Sequence, residues 1–448
     1  MLIMKNASNK TSIVLLAIVA LFLSSQVGVA EDSDWTQFLG PAGDSDAQNA
    51  TPLTSWDESN HIWVTDIPGT GWSSPVYKDG HIWLTTATTK PATKEQIEKK
   101  KQGVQFANMK TTVGALDLYA ICLDLESGKI LHNIHLANIA EPDLINPLNS
   151  YASPTPAIDD GKVVCHFGNY GTWCLDAKTG SQIWNSKFDV DHSVGAGSSP
   201  VVHDGKVLLV CDGIDEQYIA AVSLSSGEEL WKTERPDFRN PNGEQQKAYS
   251  TPLISKFDGK TQAIIPGAQW VIAYDPETGK EIWRVDHGDG FSVVPMATVE
   301  SGLVIFASGY MKSEFAAVDP TGTGDVTKTH VKWRASQAPA MPSMISTGDK
   351  VYAVTDNGIM SCVDAKTGEL VKRKRIGGNF AASPLLAGGN IYLSSREGNM
   401  TIVKCDPSLE EVGKQKFDSR LIATPAPVGN DLLIRTEKKL YRIGKKAG

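Results

Sequence analysis

A repeated unit of four short strands constrains the fold of this chain more than any other feature. It is clearest in residues 153–188, SPTPAIDDGKVVCHFGNYGTWCLDAKTGSQIWNSKF. Three turns rich in Asp, Gly and Asn divide this stretch into four apolar segments of about five residues, a pattern typical of an antiparallel meander. One such unit cannot bury both of its faces, so it must stack on copies of itself.

Copies of the unit follow one another along the chain. Each opens at a proline, usually after Ser or Thr, and most carry a hairpin of the type Asp-x-x-Thr-Gly further on. Beyond the first copy the openings are roughly 40–50 residues apart, the period of β-propeller blades. The sequence therefore predicts an all-β fold, an eight-bladed β-propeller of four-stranded antiparallel blades over residues 56–448. The eight openings are Pro75, Pro154, Pro200, Pro252, Pro295, Pro342, Pro384 and Pro425.

The two ends of the repeat region are fragments that complete each other. Ile62-Trp63-Val64 resembles a fourth strand without the preceding three, and residues 440–443 resemble a third strand without a fourth. We expect the N-terminal strand to close the last blade, because closure removes the free sheet edges of the ring.

The first residues have the pattern of a secretory signal peptide. Lys5 and Lys10 precede an apolar run over residues 13–23, which is followed by small residues at a cleavage site after residue 30. The run is shorter than the ~20 residues that cross a bilayer, so we expect residues 1–30 to be removed and no membrane span to remain.

A polar N-terminal extension, residues 31–55, is expected between the signal peptide and the propeller. It begins with Glu31 rather than Cys, so no lipid anchor is expected. The formal net charge of the chain is −8 and no basic cluster stands out, which argues against nucleic acid or anionic lipid as a partner. We expect a monomer located in the periplasm or secreted.

The six cysteines face an oxidising compartment if the chain is exported. Cys122, Cys174 and Cys362 each lie two residues before a hairpin Asp, where other units carry Ala, which indicates a small buried position. The turn at residues 168–171 places Cys165 opposite Cys174, and this pairing would allow a cross-strand disulfide.

Three tryptophans recur at one position of the repeat. Trp184, Trp231 and Trp283 each follow the first residue of their hairpin motif by eight positions. This offset places a large ring on the outer strand of each blade, where it can pack against the next blade, so we interpret these residues as packing rather than as ligand platforms.

Candidate binding residues gather on one face of the predicted ring, which we call the funnel face. The links between blades and the turns between second and third strands lie on that face, whereas the Asp-x-x-Thr-Gly hairpins lie on the opposite, hairpin face. Aromatic side chains with some amides and carboxylates suit a protein, peptide or glycan ligand. The candidates are Tyr151, Asn169, Tyr170, Asp212, Asp215, Gln217, Trp270, Phe291, Tyr310, Asp356, Asn357, Phe380 and Arg396.

Motifs for catalysis and metal binding are not found in the sequence. The histidines lack metal-type spacing, and no nucleophile elbow, phosphate loop or dinucleotide fingerprint occurs. No catalytic residues and no metal site are therefore predicted.

The repeat itself resembles that of a known superfamily. The pattern Ala/Cys-x-Asp-x-x-Thr/Ser-Gly-x-x-x-Trp, at Cys174…Trp184 and Ala273…Trp283, is similar to the repeat of pyrroloquinoline-quinone (PQQ) propeller proteins. That superfamily includes the quinoprotein alcohol dehydrogenases and the propeller lipoprotein of the outer-membrane β-barrel assembly machinery. The segments 35–41, 149–154, 166–172 and 436–442 resemble those of exported bacterial PQQ-binding-like propeller proteins.

The resemblance implies a fold and leaves three functions open. Quinoprotein dehydrogenases hold PQQ against adjacent cysteines and use calcium with an Asp base. This chain has no adjacent cysteines, and no Asp stands out for the base role. We therefore expect an exported, non-catalytic binding or scaffold protein of the cell envelope without a cofactor. The alternatives are a PQQ-dependent dehydrogenase-like enzyme and an outer-membrane protein assembly factor.

Overall fold

Eight sheets of four antiparallel strands form the body of the protein, as the repeat predicts. A computed structural model describes residues 34–311 and 313–446, so the expected signal peptide lies outside the described residues. Within each sheet the strands follow one another from the inside of the ring outward. First strands of neighbouring blades contact each other between blades 1 and 2, 2 and 3, and 5 and 6, so the first strands lie at the centre of the ring.

Blades 1 to 4 are consecutive in the chain, and blade 1 carries a long insertion with one α-helix, α1 (Lys94–Lys101). The strands are, for blade 1, β3 (Val76–Lys78), β4 (His81–Lys90), β5 (Ala115–Asp124) and β6 (Ile130–Ile139); for blade 2, β7 (Ala157–Asp159), β8 (Lys162–His166), β9 (Thr172–Asp176) and β10 (Gln182–Ser186); for blade 3, β11 (Val201–His203), β12 (Lys206–Asp212), β13 (Gln217–Ser223) and β14 (Glu229–Glu234); for blade 4, β15 (Leu253–Phe257), β16 (Lys260–Pro266), β17 (Trp270–Tyr274) and β18 (Glu281–Asp286).

Blades 5 to 8 complete the ring, and two short strands join blades 4 and 7 from elsewhere in the chain. The strands are, for blade 5, β19 (Thr298–Glu300), β20 (Leu303–Ala307), β21 (Glu314–Val318) and β23 (Val331–Ser336); for blade 6, β24 (Ile345–Thr347), β25 (Lys350–Val354), β26 (Ile359–Asp364) and β27 (Leu370–Arg375); for blade 7, β28 (Leu385–Ala387), β29 (Asn390–Ser394), β30 (Asn399–Lys404) and β31 (Glu411–Lys416); for blade 8, β32 (Ala426–Val428), β33 (Asp431–Arg435), β34 (Lys439–Ile443) and β2 (His61–Asp66); the added strands are β1 (Asp46–Ala47) and β22 (Gly324–Asp325).

The ring closes through its N-terminal strand, which confirms the prediction from the two terminal fragments. Strand β2 pairs antiparallel with β34, and Val64 lies opposite Tyr441. The last blade is therefore built from both ends of the propeller, and closure covers the edges that β34 and β2 would otherwise leave open.

A belt of hydroxyl groups links the blades around the channel. The backbone N–H of the Ser or Thr that opens one blade donates to the side-chain hydroxyl at the same position of the next blade. Blade 5 has Met296 there, which has no hydroxyl and packs in a core with Leu39 and Leu253 instead. The bonds run from Ser74 to Thr155 (2.9 Å), Thr155 to Ser199 (2.9 Å), Ser199 to Thr251 (2.9 Å), Met296 to Ser343 (3.1 Å), Ser343 to Ser383 (3.0 Å), Ser383 to Thr424 (3.1 Å) and Thr424 to Ser74 (3.1 Å).

In blades 2 and 3 the repeated tryptophan packs on the hairpin of the next blade and donates a hydrogen bond to it. The indole N–H of Trp184 donates to the carbonyl of Leu224 at 2.9 Å, and a Cβ added to Gly227 would lie only 2.7 Å from that ring. Trp231 makes the same bond to Pro276 at 3.2 Å. Only a glycine lets the hairpin approach the ring so closely, which explains why Trp and hairpin Gly recur together.

Trp283 reaches the next hairpin through a relay. Its indole N–H donates to Gln262 at 2.8 Å, and the amide of Gln262 donates to the carbonyl of Pro320 at 3.1 Å. The hairpin of blade 5 is longer than the others, and its strand β22 adds in parallel to β18 of blade 4. This extra strand covers Trp283, which is fully buried.

The N-terminal extension crosses the ring. Trp35 pairs with Tyr77 of blade 1, and the carbonyl of Thr36 accepts from Ile158 of blade 2 at 2.7 Å. Further on, Leu39 is buried among residues of blades 4 and 5, and β1 pairs in parallel with β28 of blade 7. These contacts lie where the inner strands approach their turns on the hairpin face. The extension therefore runs across the hairpin face of the ring.

The predicted disulfide between Cys165 and Cys174 is wrong. Cys165 lies opposite Trp173, and Cys174 lies opposite Val164. The two thiols belong to cores on opposite faces of the blade 2 sheet, and both are free. The loop between β8 and β9 has five residues rather than four because Phe167 belongs to it. This one-residue shift in register moves a side chain to the other face.

Candidate functional site

The predicted funnel residues occupy links and turns from the blade 1–2 link to blade 7. They form several local groups on the funnel face rather than one cluster. For each group the contacts decide whether the side chains hold the loops of the protein or face outward.

Tyr151, Asn169 and Tyr170 converge on Asp143 in the link between blades 1 and 2. The Tyr151 hydroxyl donates to the Asp143 carbonyl at 2.7 Å, and the Asp143 N–H donates to the Tyr170 hydroxyl at 2.8 Å. The Asn169 amide donates to the Asp143 carboxylate at 2.7 Å. These three predicted residues therefore fix the link in place, and sequence reasoning missed Asp143, on which they converge.

Asp212 forms a buried ion pair with Arg235. The carboxylate accepts from Nε at 3.0 Å and from Nη2 at 2.7 Å, a bidentate geometry between two fully buried side chains. Removing one partner of such a pair strongly destabilises the folded protein, because the other charge is then buried without a partner. Asp212 is thus committed to holding the end of blade 3.

Asp215 and Gln217 shape the adjoining turn of blade 3. The Asp215 carboxylate accepts from the backbone N–H groups of Asp191 and Glu216, both at 2.8 Å. The Gln217 amide donates to the carbonyl of Gly213 at 2.8 Å. The first of these bonds ties the turn to the link between blades 2 and 3.

Trp270, in blade 4, stands beside a cation. The Arg284 guanidinium lies over its ring, 5.3 Å from the centroid, and its indole N–H donates to the carbonyl of Asp237 at 3.3 Å. The ring is half-buried, so it offers only part of its surface to a partner.

Tyr310 is an exposed aromatic residue of the predicted set, and Phe291 packs against it. Their rings meet edge to face at 5.9 Å, and the two backbones form an isolated bridge. Tyr310 is 54% exposed and the following Met311 is 78% exposed. Exposed aromatic and Met side chains of this kind are typical of protein contact surfaces.

The remaining candidates, in blades 6 and 7, mainly support loops. Asp356 accepts from the backbone N–H groups of Ala340 and Met341, both at 3.1 Å, and burial raises its pKa. Phe380 is buried. Asn357 accepts from the hydroxyl of Thr355 at 2.7 Å, and the Nε of Arg396 is buried with no partner among the described residues.

A buried charged cluster, which sequence reasoning missed, lies beside the funnel. Lys110 of the blade 1 insertion donates to Glu244 at 3.1 Å and to Ser193 at 2.8 Å. Lys247 donates to the same carboxylate and, at 3.2 Å, to Ser193. All four side chains are less than a tenth exposed. Burial alone would raise the pKa of Glu244, but the two lysines outweigh it and lower that pKa.

Three members of the cluster, Lys110, Ser193 and Glu244, line a cavity of about 570 Å³. The walls come from the blade 1 insertion, the links 1–2, 2–3 and 3–4, and a turn of blade 3. No pattern in the sequence marks these residues, because they are single polar side chains in loops far apart in the chain. Only the ring brings them together.

The residues described do not form the calcium site that the resemblance implies. Among residues 34–311 and 313–446, no group of three or more His, Cys, Asp or Glu side chains is arranged to hold a metal ion. Calcium prefers six to eight oxygen ligands. No helix in the same ranges is both long and apolar enough to cross a bilayer.

Two kinds of curated protein are similar to this chain in sequence. The outer membrane protein assembly factor BamB of Legionella pneumophila (strain Paris) is 23% identical over 255 residues, 55% of this chain and 49% of that protein. The tetrathionate hydrolase of Acidithiobacillus ferrooxidans is 22% identical over 255 residues, 54% of this chain and 49% of that protein. The chain thus spans about half the length of each of these relatives.

Solved structures share the fold at low identity. BamB from Moraxella catarrhalis superposes with a TM-score of 0.57 at 14% identity, covering 86% of this chain and 99% of that one. The quinohemoprotein alcohol dehydrogenase ADHIIG from Pseudomonas putida HK5 gives 0.62 at 13% identity, covering 93% and 81%. These likenesses concern the fold alone.

A family model matches most of the chain. The model described as outer membrane protein assembly factor BamB matches residues 78–256 and 215–448, which together span all eight blades. With its PQQ-like repeat and its ring of eight blades, the chain belongs to the BamB family of propeller proteins.

Proposed function

We propose that this protein is a non-catalytic scaffold of the cell envelope that binds a protein partner through its funnel face, and that it acts in outer-membrane protein assembly. The observation that supports the proposal is that the carboxylates on that face bind the protein's own loops, while large apolar side chains are exposed. The carboxylates of Asp143, Asp212, Asp215 and Asp356 accept hydrogen bonds from the protein's own loops. Tyr310 and Met311 are among the large apolar side chains that project outward.

This arrangement suits recognition better than chemistry. A catalytic carboxylate must reach a substrate, whereas the Asp212 carboxylate is buried against Arg235 and the Asp356 carboxylate holds the backbone N–H groups of Ala340 and Met341. Binding energy at protein interfaces concentrates in a few aromatic and other large anchors, and a rigid ring presents such anchors without much loss of entropy. Similarity to the BamB proteins supports an assembly role and a protein as the partner.

The test is capture of outer-membrane assembly components from a detergent-solubilised envelope extract. We expect the purified full chain to retain them, and the Tyr310→Ala/Met311→Ala double variant to retain about tenfold less, as the loss of one strong anchor implies. The matched control is Lys178→Ala/Lys366→Ala on the hairpin face, which should bind like the wild type. Retention of no assembly component, or loss of binding in the control alone, would contradict the proposal.

Tyr170 is not a suitable test residue. Its hydroxyl holds Asp143, so Tyr170→Ala would disturb the link between blades 1 and 2 as well as any contact with a partner. Tyr310 has no such structural bond through its side chain beyond the ring contact with Phe291 among the described residues.

A further inference from the structure

The cavity above the buried cluster carries charge of opposite sign at its two ends. Its buried lining consists of Lys110, Glu244 and Ser193, and Lys247, which lies outside the lining, shares the Glu244 carboxylate with Lys110. Its exposed lining carries the carboxylates of Asp143, Asp191 and Glu141, and the half-buried Lys100 lies near Asp143 and Glu141. Together with Lys247 the buried part therefore carries net positive charge, and three carboxylates against one ammonium group leave the exposed part negative.

In the buried part, the two lysines repel each other. Burial lowers the pKa of Lys247, and Lys110 lowers it further, although Glu244 acts in the opposite direction. Two buried ammonium groups with one shared carboxylate leave a net positive charge in a region of low dielectric constant. An anionic group placed against Lys110, which lines the cavity, would offset that charge.

In the exposed part, the carboxylates repel each other in the same way. Although the Asp191 side chain reaches solvent, desolvation by the surrounding links raises its pKa, and Asp143 and Asp215 raise it further, which outweighs the opposite effects of the Ser193 N–H and of Lys110. Asp143 and Asp191 accept from Asn169 and from the Ser193 N–H respectively, and a carboxylate can accept several more hydrogen bonds. A cationic group between them would relieve the repulsion.

One class of ligand satisfies both ends at once. We propose that this cavity binds a short zwitterionic peptide, with its terminal carboxylate directed to Lys110 and its terminal ammonium held between Asp143 and Asp191. The volume of about 570 Å³ falls within the range of small-ligand sites and accommodates a few residues. Leu144 and Ile214 in the wall provide apolar contact for small side chains.

Peptide binding in the cavity does not depend on the proposed scaffold role. The cavity is lined by loops of blade 1, blade 3 and the links from blade 1 to blade 4, whereas Tyr310 and Met311 belong to blade 5. Failure of partner capture would leave the cavity proposal standing, and failure of peptide binding would leave the scaffold proposal standing.

The experiment is calorimetric titration of the full chain with tri-alanine, N-acetyl-tri-alanine and tri-alanine amide. We expect tri-alanine to bind and each capped form to bind about tenfold more weakly, because each lacks one charged terminus. No binding of tri-alanine at millimolar concentration, or equal binding of all three peptides, would overturn the proposal.

Variants locate the site. Asp191→Asn keeps an oxygen that can accept from the Ser193 N–H and should weaken tri-alanine about tenfold, and Lys110→Gln should do the same. Asp189→Asn, in the same link but outside the cavity wall, is the matched control and should bind like the wild type. Thermal unfolding of each variant shows whether it is folded. Unchanged binding in folded Asp191→Asn would contradict the proposal whatever the outcome for Lys110→Gln.

Discussion

The hydroxyl of Ser74 in blade 1 accepts a hydrogen bond from the backbone N–H of Thr424 in blade 8, at 3.1 Å and across 350 positions of the chain. Both residues are buried. This bond joins the first and last blades at the channel. At the outer edge of blade 8, the pairing of β2 with β34 adds the N-terminal strand to the last blade. The belt of hydroxyl groups and the closing strand together make the ring continuous.

Ser74→Ala should destabilise the ring. The change leaves the buried N–H of Thr424 without its acceptor, which typically costs about 1–3 kcal/mol. Denaturant unfolding should show this loss, with Ser226→Ala, an exposed hairpin residue, as the control that stays near wild type. Equal unfolding free energies for the two variants would contradict the role of the belt.

Gly227→Ala should destabilise the protein more than Gly205→Ala. The two glycines lie in blade 3 with φ of +75° and +72°, so both substitutions carry the same left-handed backbone penalty. A Cβ at Gly227 would also meet the Trp184 ring at 2.7 Å, whereas a Cβ at Gly205 meets nothing. We expect an additional ~1–3 kcal/mol for Gly227→Ala from overpacking. Thermal unfolding measures the difference, and no difference would mean that the Trp184 contact does not fasten the blades.

A chain lacking residues 31–66 should aggregate or lose much of its stability. The deletion removes β2 and exposes β34 as an edge, and it also removes the extension that contacts blades 1, 2 and 7. Light scattering and thermal unfolding test this. A truncated protein that stays monomeric with an unchanged melting temperature would refute closure by this strand.

Stability should fall as the pH drops below about 6.5, where unfolded histidine begins to bind protons. Burial lowers the pKa of His192 and of His287 to about 4 in the folded protein. The unfolded chain therefore binds more protons between these values, and each histidine removes up to roughly 3 kcal/mol as the pH falls through this range. Denaturant unfolding at pH 7.5 and pH 4.5 should show a smaller pH difference for His192→Phe than for wild type. An identical difference in both proteins would show that His192 is not held neutral.

The sequence predicted the ring because the repeat is local. Turn chemistry, strand length and the orphan fragments at Trp63 and Tyr441 are all visible in short windows, and together they determine eight blades and their closure. The funnel face could also be located, because strand order decides on which side links and turns lie.

The roles of individual funnel residues could not be predicted in this way. Asp212 is a suitable binding residue by type, but its partner Arg235 lies 23 positions away and buries it. The cluster of Lys110 and Glu244 joins residues 134 positions apart. The register of Cys165 depended on whether Phe167 belongs to a strand or to a loop, and local pattern does not decide between them. Contacts between loops depend on the finished ring, so only the structure shows them.

We propose that the funnel face binds a protein of outer-membrane assembly. Photo-cross-linking in the cell envelope is a direct test of this contact. A photoreactive phenylalanine analogue would replace Tyr310 on the funnel face in one variant and Lys178 on the hairpin face in another. We expect a cross-linked adduct from position 310 that mass spectrometry identifies as an outer-membrane assembly component, and none from position 178. An adduct with such a component from position 178 alone, or adducts from neither position, would contradict it.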